Sequence, residues 1–100
     1  MDVYLSSRFD KALDKLSEDD LVLVEDQIDF IVEHPNCGVL KKGDLSYLRV
    51  HKFKLSGDEI LLGYSWLEER VELYLLDLGP HENFYRDMRR RRKSDITFMA

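Results

Sequence analysis

Two side chains near the C-terminus, His81 and Tyr85, have types and a spacing that could carry chemistry. Gly79 and Pro80 end the preceding element, so the segment "HENFYRDMRRRR" is expected to begin a new helix. Residues four apart share a helix face, and histidine is the side chain that exchanges protons near neutral pH. His81 is therefore a candidate acid or base, and Tyr85 can stack on a base or hold a phosphate through its hydroxyl. The alternative is that the two are a helix-start residue and a packed aromatic side chain.

A second candidate is the lysine pair Lys52 and Lys54 in the strand-like segment "LSYLRVHKFKL". Alternate residues of a strand point to one side, which places the two ammonium groups roughly 7 Å apart. That spacing suits phosphate, although lysines also protect edge strands from aggregation. Arg49 and His51 lie on the opposite side, where they are expected to line an open sheet face, with an ion pair to the acidic helices as the alternative for Arg49. Both sides mix charged and apolar residues, so the pattern does not say which side faces the core.

Charge is distributed unevenly along the chain, whose formal net charge is −5. Residues 1–36 contain three basic and ten acidic residues, whereas residues 86–93, "RDMRRRRK", contain six basic and one acidic residue. Charges farther apart than a Debye length of about 8 Å are largely screened at physiological salt, so the basic run can meet a polyanion despite the acidic total. The alternative for this run is a disordered or merely solvated end.

Several classes of protein are not indicated by the sequence. There is no G-x-S-x-G, P-loop or dinucleotide-binding motif, so we expect no organic cofactor. His34 and Cys37 have ligand-like spacing, but with His51 and His81 they match no zinc signature, and we expect no metal. No apolar run is long enough to span a membrane, no signal peptide is evident, and the single cysteine fits a reducing compartment. The expected location is the cytoplasm.

The order of elements predicts one α+β domain over residues 1–100. After a short strand at "DVYL", two amphipathic segments predict a helical hairpin, with Ser17 as the N-cap of the second helix. Three strand-like segments separated by "SGD" and "EE" then predict an antiparallel meander, followed by a basic helix or tail at about 80–93. The predicted order is β-α-α-β-β-β-α, with the hairpin packed on one face of a small, mostly antiparallel sheet and the other face open.

This order, together with the residues "LRVHKFKLSGDEILLGYSWLEERVELYLLDLGPHENFYRDMRR", resembles the RelE/ParE superfamily of toxins from bacterial toxin–antitoxin modules. The resemblance covers nearly the whole chain. It implies that Lys52 and Lys54 match the paired basic positions of the family, that His81 stands where relatives place an arginine or histidine, and that Tyr85 matches the terminal aromatic residue. Leu61 lies where RelE-like ribonucleases often carry an arginine.

The resemblance implies a metal-independent, ribosome-dependent endoribonuclease that cuts mRNA and inhibits translation. Its expected partners are an antitoxin, in a toxin–antitoxin hetero-oligomer, and mRNA on the ribosome. The alternatives are a ParE-like inhibitor of DNA gyrase and a non-catalytic member that only binds its antitoxin. The predicted catalytic residues are His81, Tyr85, Lys52 and Lys54, and the predicted RNA-binding residues are Arg49, His51, Arg86, Arg89 and Arg90.

Overall fold

The computed structural model describes residues 1–100 and contains five strands and three α-helices. In chain order these are β1 (Asp2–Leu5), α1 (Ser7–Asp14), α2 (Glu18–Glu33), β2 (Val39–Leu40), β3 (Arg49–Leu55), β4 (Asp58–Leu67), β5 (Glu72–Pro80) and α3 (Phe84–Met99). The α+β class and the predicted order of elements are confirmed, with the two-residue strand β2 as an addition. None of the helices is long and apolar enough to cross a membrane.

Serine side chains begin both helices of the N-terminal hairpin. The hydroxyl of Ser6 accepts a hydrogen bond from the backbone N–H of Phe9, and that of Ser17 accepts one from Asp20. Each bond satisfies an N–H group that has no partner inside its helix. The predicted cap at Ser17 is confirmed, and the acidic first turn of α2 lies where the helix dipole favours negative charge.

The sheet has the strand order β1-β5-β4-β3-β2, in which only the β1–β5 pair is parallel. The predicted meander is strands β3, β4 and β5. Ser56 and Gly57 form the two-residue turn between β3 and β4, and both have positive φ, at 53° and 86°. A turn with two positive φ angles matches the right-handed twist of the strands that it joins. Leu55 therefore pairs with Asp58, and this turn fixes the register of every residue on the two strands.

Helices α1 and α2 cover one face of the sheet, as predicted. Phe9, Val24 and Ile31 on these helices are fully buried against Leu62, Tyr64 and other residues of the strands. We call this side of the sheet the hairpin face.

The second face is covered by α3, so the prediction that it is open was wrong. Phe84, Met88 and Met99 of the helix pack with strand residues that include Val50, Leu61 and Leu76. We call this side the α3 face. The packing of α3 on this face could not be predicted from the sequence, because the few apolar residues that the helix buries are surrounded by arginines.

The basic run is part of this docked helix, which continues to Met99, beyond the predicted end near residue 93. Asp95 of α3 is almost completely buried, and the guanidinium group of Arg8 in α1 donates two hydrogen bonds to its carboxylate, at 2.8 and 2.7 Å. The interpretation of the run as a disordered end is therefore not supported. Its arginines form the outer side of an anchored helix.

Candidate functional site

Lys52 and Lys54 project from the α3 face of strand β3. Val50, two residues before Lys52, is buried on that face beneath α3, and side chains alternate along a strand. Both lysines are exposed, and neither takes part in any of the five ion pairs of the protein. Their ammonium groups are therefore free to bind an anion from solution.

His81 and Tyr85 lie in contact at the start of α3. Their ring centroids are 5.8 Å apart in an edge-to-face arrangement. His81 is not on the helix, contrary to the prediction, because the helix begins at Phe84 and Asn83 has a left-handed backbone conformation with φ 66°. The contact arises because the turn folds back, with the Phe84 N–H donating to the His81 carbonyl at 3.2 Å. The histidine is exposed and the tyrosine is partly buried.

The register of the sheet brings the lysine pair and His81 to the same end of the α3 face. Leu61 of β4 pairs with Lys52 on one side and with Gly79 on the other. Adjacent strands are about 4.8 Å apart, so the Lys52 and Gly79 backbones are separated by roughly 10 Å. His81 follows Gly79 by two residues, at the end where Lys54 leaves β3.

Glu59 and Lys41 are two residues at this site that the sequence analysis did not identify. Glu59 pairs with Lys54 across the hairpin and is exposed, two residues before Leu61 and therefore on the same face. The Nζ atom of Lys41 lies 5.1 Å from the centre of the Tyr85 ring. The register set by the "SG" turn is a sequence signal for Glu59, whereas the two-residue strand before Lys41 leaves almost none.

Leu61 occupies the centre of the α3 face without contributing charge. Its side chain is completely buried in the cluster that contains Phe84 and Met88. An arginine here would place a guanidinium group under α3, where desolvation disfavours it. In this chain the position supports the helix.

Arg49 and His51 are not brought to this site, because they lie on the hairpin face. The Nη1 atom of Arg49 donates to the carbonyl oxygens of Gly38, at 2.9 Å, and Asn36, at 3.3 Å. These bonds tie β3 to the loop after α2.

His51 packs on α2. Its Nε2 atom lies 2.7 Å from Oε1 of Gln27, and its ring stacks on Phe30 and Phe53. Burial lowers the pKa of His51 below its usual value, which favours the neutral ring. Both predicted RNA contacts on this side of β3 are thus committed to protein partners.

The family of the chain is decided by a sequence model. Residues 3–89 match the model of the "ParE-like toxin of type II bacterial toxin-antitoxin system". The chain belongs to this family of ParE-like toxins. The resemblance to the RelE/ParE superfamily is thereby confirmed. No match to a curated protein was found.

Solved structures of the Escherichia coli toxin RelE share the fold of this ParE-like toxin. The intact RelBE toxin–antitoxin complex has a TM-score of 0.64 at 19% identity, covering 79% of this chain and 94% of the other. A free RelE double mutant has a TM-score of 0.65 at 19% identity, covering 84% and 86%. The same mutant in complex with a peptide of the antitoxin RelB has a TM-score of 0.64 at 18% identity, covering 86% and 92%. At 18–19% identity, these similarities show a shared fold and nothing more specific.

The arginines of this ParE-like toxin lie along the outer side of α3 and differ in their contacts. Arg86 is paired with Asp87 at 3.5 Å and Arg89 with Asp44 at 3.7 Å, with more than half of each arginine side chain exposed. Arg90 is exposed and borders a polar cleft of about 270 Å³. Arg86 is next to Tyr85 in the chain, whereas Arg89 and Arg90 follow one turn later, so the basic stripe leads away from the His81–Tyr85 pair.

The cleft beside Arg90 is lined entirely by charged residues: Arg8, Asp77, Asp87, Arg90 and Arg91. Burial raises the pKa of Asp77 above its usual value, although Arg8 at 3.6 Å opposes that shift. These charges join α1, β5 and α3, which indicates a structural role for the cleft. No three His, Cys, Asp or Glu side chains are grouped closely enough to hold a metal ion.

Proposed function

We propose that this ParE-like toxin is an endoribonuclease that cuts translated mRNA on the ribosome without a metal ion. The observation that carries the proposal is the meeting of His81 and Tyr85, with ring centroids 5.8 Å apart, at the end of the sheet where Lys52 and Lys54 have no ion-pair partner. Cleavage of a phosphodiester at neutral pH requires groups that transfer protons and cations that stabilise the developing charge, and His81 and the two lysines are of these types. The Tyr85 ring can hold the substrate.

In the proposed reaction the 2′-oxygen of RNA attacks the adjacent phosphorus, and the bond from phosphorus to the 5′-oxygen breaks. One protein group accepts the proton of the 2′-hydroxyl and another donates a proton to the departing 5′-oxygen, leaving a 2′,3′-cyclic phosphate. His81 is the proton donor, since histidine is the side chain best suited to proton exchange near neutral pH. Glu59, which pairs with Lys54 in the sheet, is the proposed acceptor.

Lys52 and Lys54 stabilise the negative charge that develops on the phosphate oxygens. Preorganised charges of this kind act most strongly where water is excluded, and removal of one donor typically costs about 10²- to 10³-fold in rate. Tyr85 positions the substrate by stacking or through its hydroxyl, and Arg86, Arg89 and Arg90 attract the RNA backbone along the outer side of α3.

The partner that controls this activity is proposed to be an antitoxin, in a hetero-oligomeric complex. Support comes from the family itself and from the RelE structures, two of which contain antitoxin RelB or a peptide of it. Exposed apolar side chains on strand β1 and helix α2, among them Val3, Leu5, Val22 and Phe30, offer surface for such a partner.

The test of the proposal is expression in bacteria without the antitoxin. We expect growth arrest with mRNA cut inside reading frames, detected by primer extension, and loss of this cleavage in a His81→Ala, Tyr85→Ala double variant. Positioned acid–base groups contribute about 10²- to 10⁴-fold, so the loss is large. A thermal melt of the purified variant checks its fold, and intact transcripts during wild-type arrest would contradict the proposal.

Inhibition of DNA gyrase is the second candidate function. It is favoured by the ParE-like description of the matching family and by Leu61, which leaves the centre of the α3 face apolar. The same expression experiment separates the two functions, since a gyrase inhibitor predicts double-strand DNA breaks with intact mRNA.

A further inference from the structure

Lys41 is held at the edge of the α3 face by the backbone of the sheet. It follows strand β2 directly, and its N–H donates a hydrogen bond of 2.9 Å to the carbonyl of Leu48. Leu40, the preceding residue, pairs with Arg49 of the hairpin face. Because side chains alternate along a strand, Lys41 projects to the opposite side, where α3 begins.

The side chain of Lys41 is directed at the proposed site. Its ammonium group lies over the ring of Tyr85, which is itself in edge-to-face contact with His81. An attraction to the face of an aromatic ring holds an ammonium group in place but leaves its N–H donors without acceptors. None of the ion pairs of the protein involves Lys41.

The position of this charge matters because the centre of the α3 face lacks one. Leu61 of β4 is completely buried there, and β4 contains no lysine or arginine. The only cations on the α3 side of β3 are Lys52 and Lys54. Lys41 contacts Tyr85 from the end of the edge strand β2, whereas His81 contacts it from the end of β5.

We propose that Lys41 is an RNA-binding residue of the site, whose ammonium group contacts a backbone phosphate beside Tyr85 and supplies positive charge that Leu61 does not. This proposal rests on the proposed ribonuclease function. A lysine suits the role because its flexible stem lets the charge move from the ring to a phosphate over a short distance.

The experiment compares Lys41→Met, Lys41→Arg and the matched control Lys42→Met. Lys42 is the adjacent residue, is exposed, and makes no ion pair or ring contact. Single-turnover cleavage of a defined mRNA on purified bacterial ribosomes is measured over a series of salt concentrations. The thermal melts of all variants are expected to match that of the wild-type protein.

The expected result for Lys41→Met is a loss of about 10- to 100-fold in the single-turnover rate at toxin concentrations below saturation, with most of the rate retained by Lys41→Arg and all of it by Lys42→Met. Each contact to a phosphate of single-stranded nucleic acid contributes about 0.7 to the slope of log affinity against log salt, so Lys41→Met should flatten the salt dependence by about that amount. A role confined to packing the Tyr85 ring would leave that slope unchanged.

Four outcomes overturn the proposal in different ways. If the wild-type toxin cleaves and Lys41→Met cleaves equally well, the role of Lys41 is rejected while the ribonuclease function stands. Equal losses in Lys41→Met and Lys42→Met would indicate a general electrostatic attraction of RNA in place of a specific phosphate contact. A loss with an unchanged salt slope would indicate that Lys41 acts by packing on the Tyr85 ring. If the wild-type toxin leaves mRNA on the ribosome intact, the ribonuclease function and the role of Lys41 fall together.

Discussion

The two faces of the sheet bury apolar clusters of the same size, nine residues each, but treat their polar side chains differently. On the hairpin face the polar groups are bonded to protein. The Tyr64 hydroxyl donates to the Pro35 carbonyl at 2.7 Å and accepts from the Gly38 N–H at 2.8 Å, while Arg49 and His51 contact the loop after α2 and α2 itself. On the α3 face Lys41, Lys52 and Lys54 make no ion pair.

This difference separates polar residues that hold the fold together from those available to a ligand. Arg49 and Lys52 are both cations on one seven-residue strand, yet only Lys52 has no bonding partner within the protein. In the sequence, residue type and spacing indicate a ligand-binding role equally for Arg49 and for Lys52. Their availability depends on which face each side chain occupies, and that is a property of the folded sheet.

The anchoring of α3 provides the largest effect on stability in this comparison. The Asp95→Ala variant leaves the guanidinium group of Arg8 without its bidentate partner, in a position where only 22% of the Arg8 side chain is exposed. Breaking a buried ion pair typically costs about 3–5 kcal/mol, and the partial exposure of Arg8 reduces this to about 2–4 kcal/mol. The corresponding decrease in Tm is on the order of 10 °C or more for a domain of this size, measurable by calorimetry.

Asp87→Ala is the matched control for that prediction. Asp87 lies on the same helix, is 47% exposed and is paired only with the exposed Arg86, at 3.5 Å. Its replacement should cost less than about 1 kcal/mol. Equal melting temperatures for the two variants would show that the Arg8–Asp95 contact does not anchor α3.

Much of this fold can be predicted from the sequence, because local patterns determine it. The strand-like segments of β3, β4 and β5, the helical stripe through Val24 and Ile31 and the serine caps are each patterns of a few neighbouring residues. The docking of α3 is different, since it depends on Met88 and Met99 within a basic segment and on a contact between Arg8 and Asp95, 87 residues apart in the chain. No local pattern carries that information.

The proposed site was predicted only in part, because residue types are local information whereas the contacts between distant residues are not. His81, Tyr85, Lys52 and Lys54 were identified by residue type, spacing and family resemblance. The face that the lysines occupy was ambiguous, because Leu48 and Val50 on one side of β3 are balanced by Phe53 and Leu55 on the other. Lys41 was missed because it is 44 residues from Tyr85 in the sequence and follows a strand of only two residues.

The hairpin face provides a smaller effect, in the dependence of stability on pH. Since burial lowers the pKa of His51 in the folded state, the native protein binds fewer protons at this residue than the unfolded chain does. The associated stability is present above the unfolded pKa, about 6.5, and is lost as the pH falls through the folded pKa.

The His51→Gln variant is the test of this effect. Replacement removes a contribution below about 1 kcal/mol, because the ring is partly exposed. The difference in Tm between wild type and variant should shrink from pH 8 to pH 5.5. Cleavage of mRNA should be unaffected, and a difference in Tm that is constant with pH would contradict the assignment.

The most direct test of the central claim is the rate of mRNA cleavage on purified ribosomes by variants of adjacent residues on the two sides of β3. The Lys52→Gln, Lys54→Gln variant alters only the α3 face, and the Arg49→Gln, His51→Gln variant alters only the hairpin face. With both variants at a temperature where melts show them folded, we predict a loss of about 10²-fold or more for the lysine variant and a near wild-type rate for the other. Wild-type cleavage that survives in the lysine variant, or is lost instead from the Arg49 and His51 variant, would contradict the assignment of function to the α3 face.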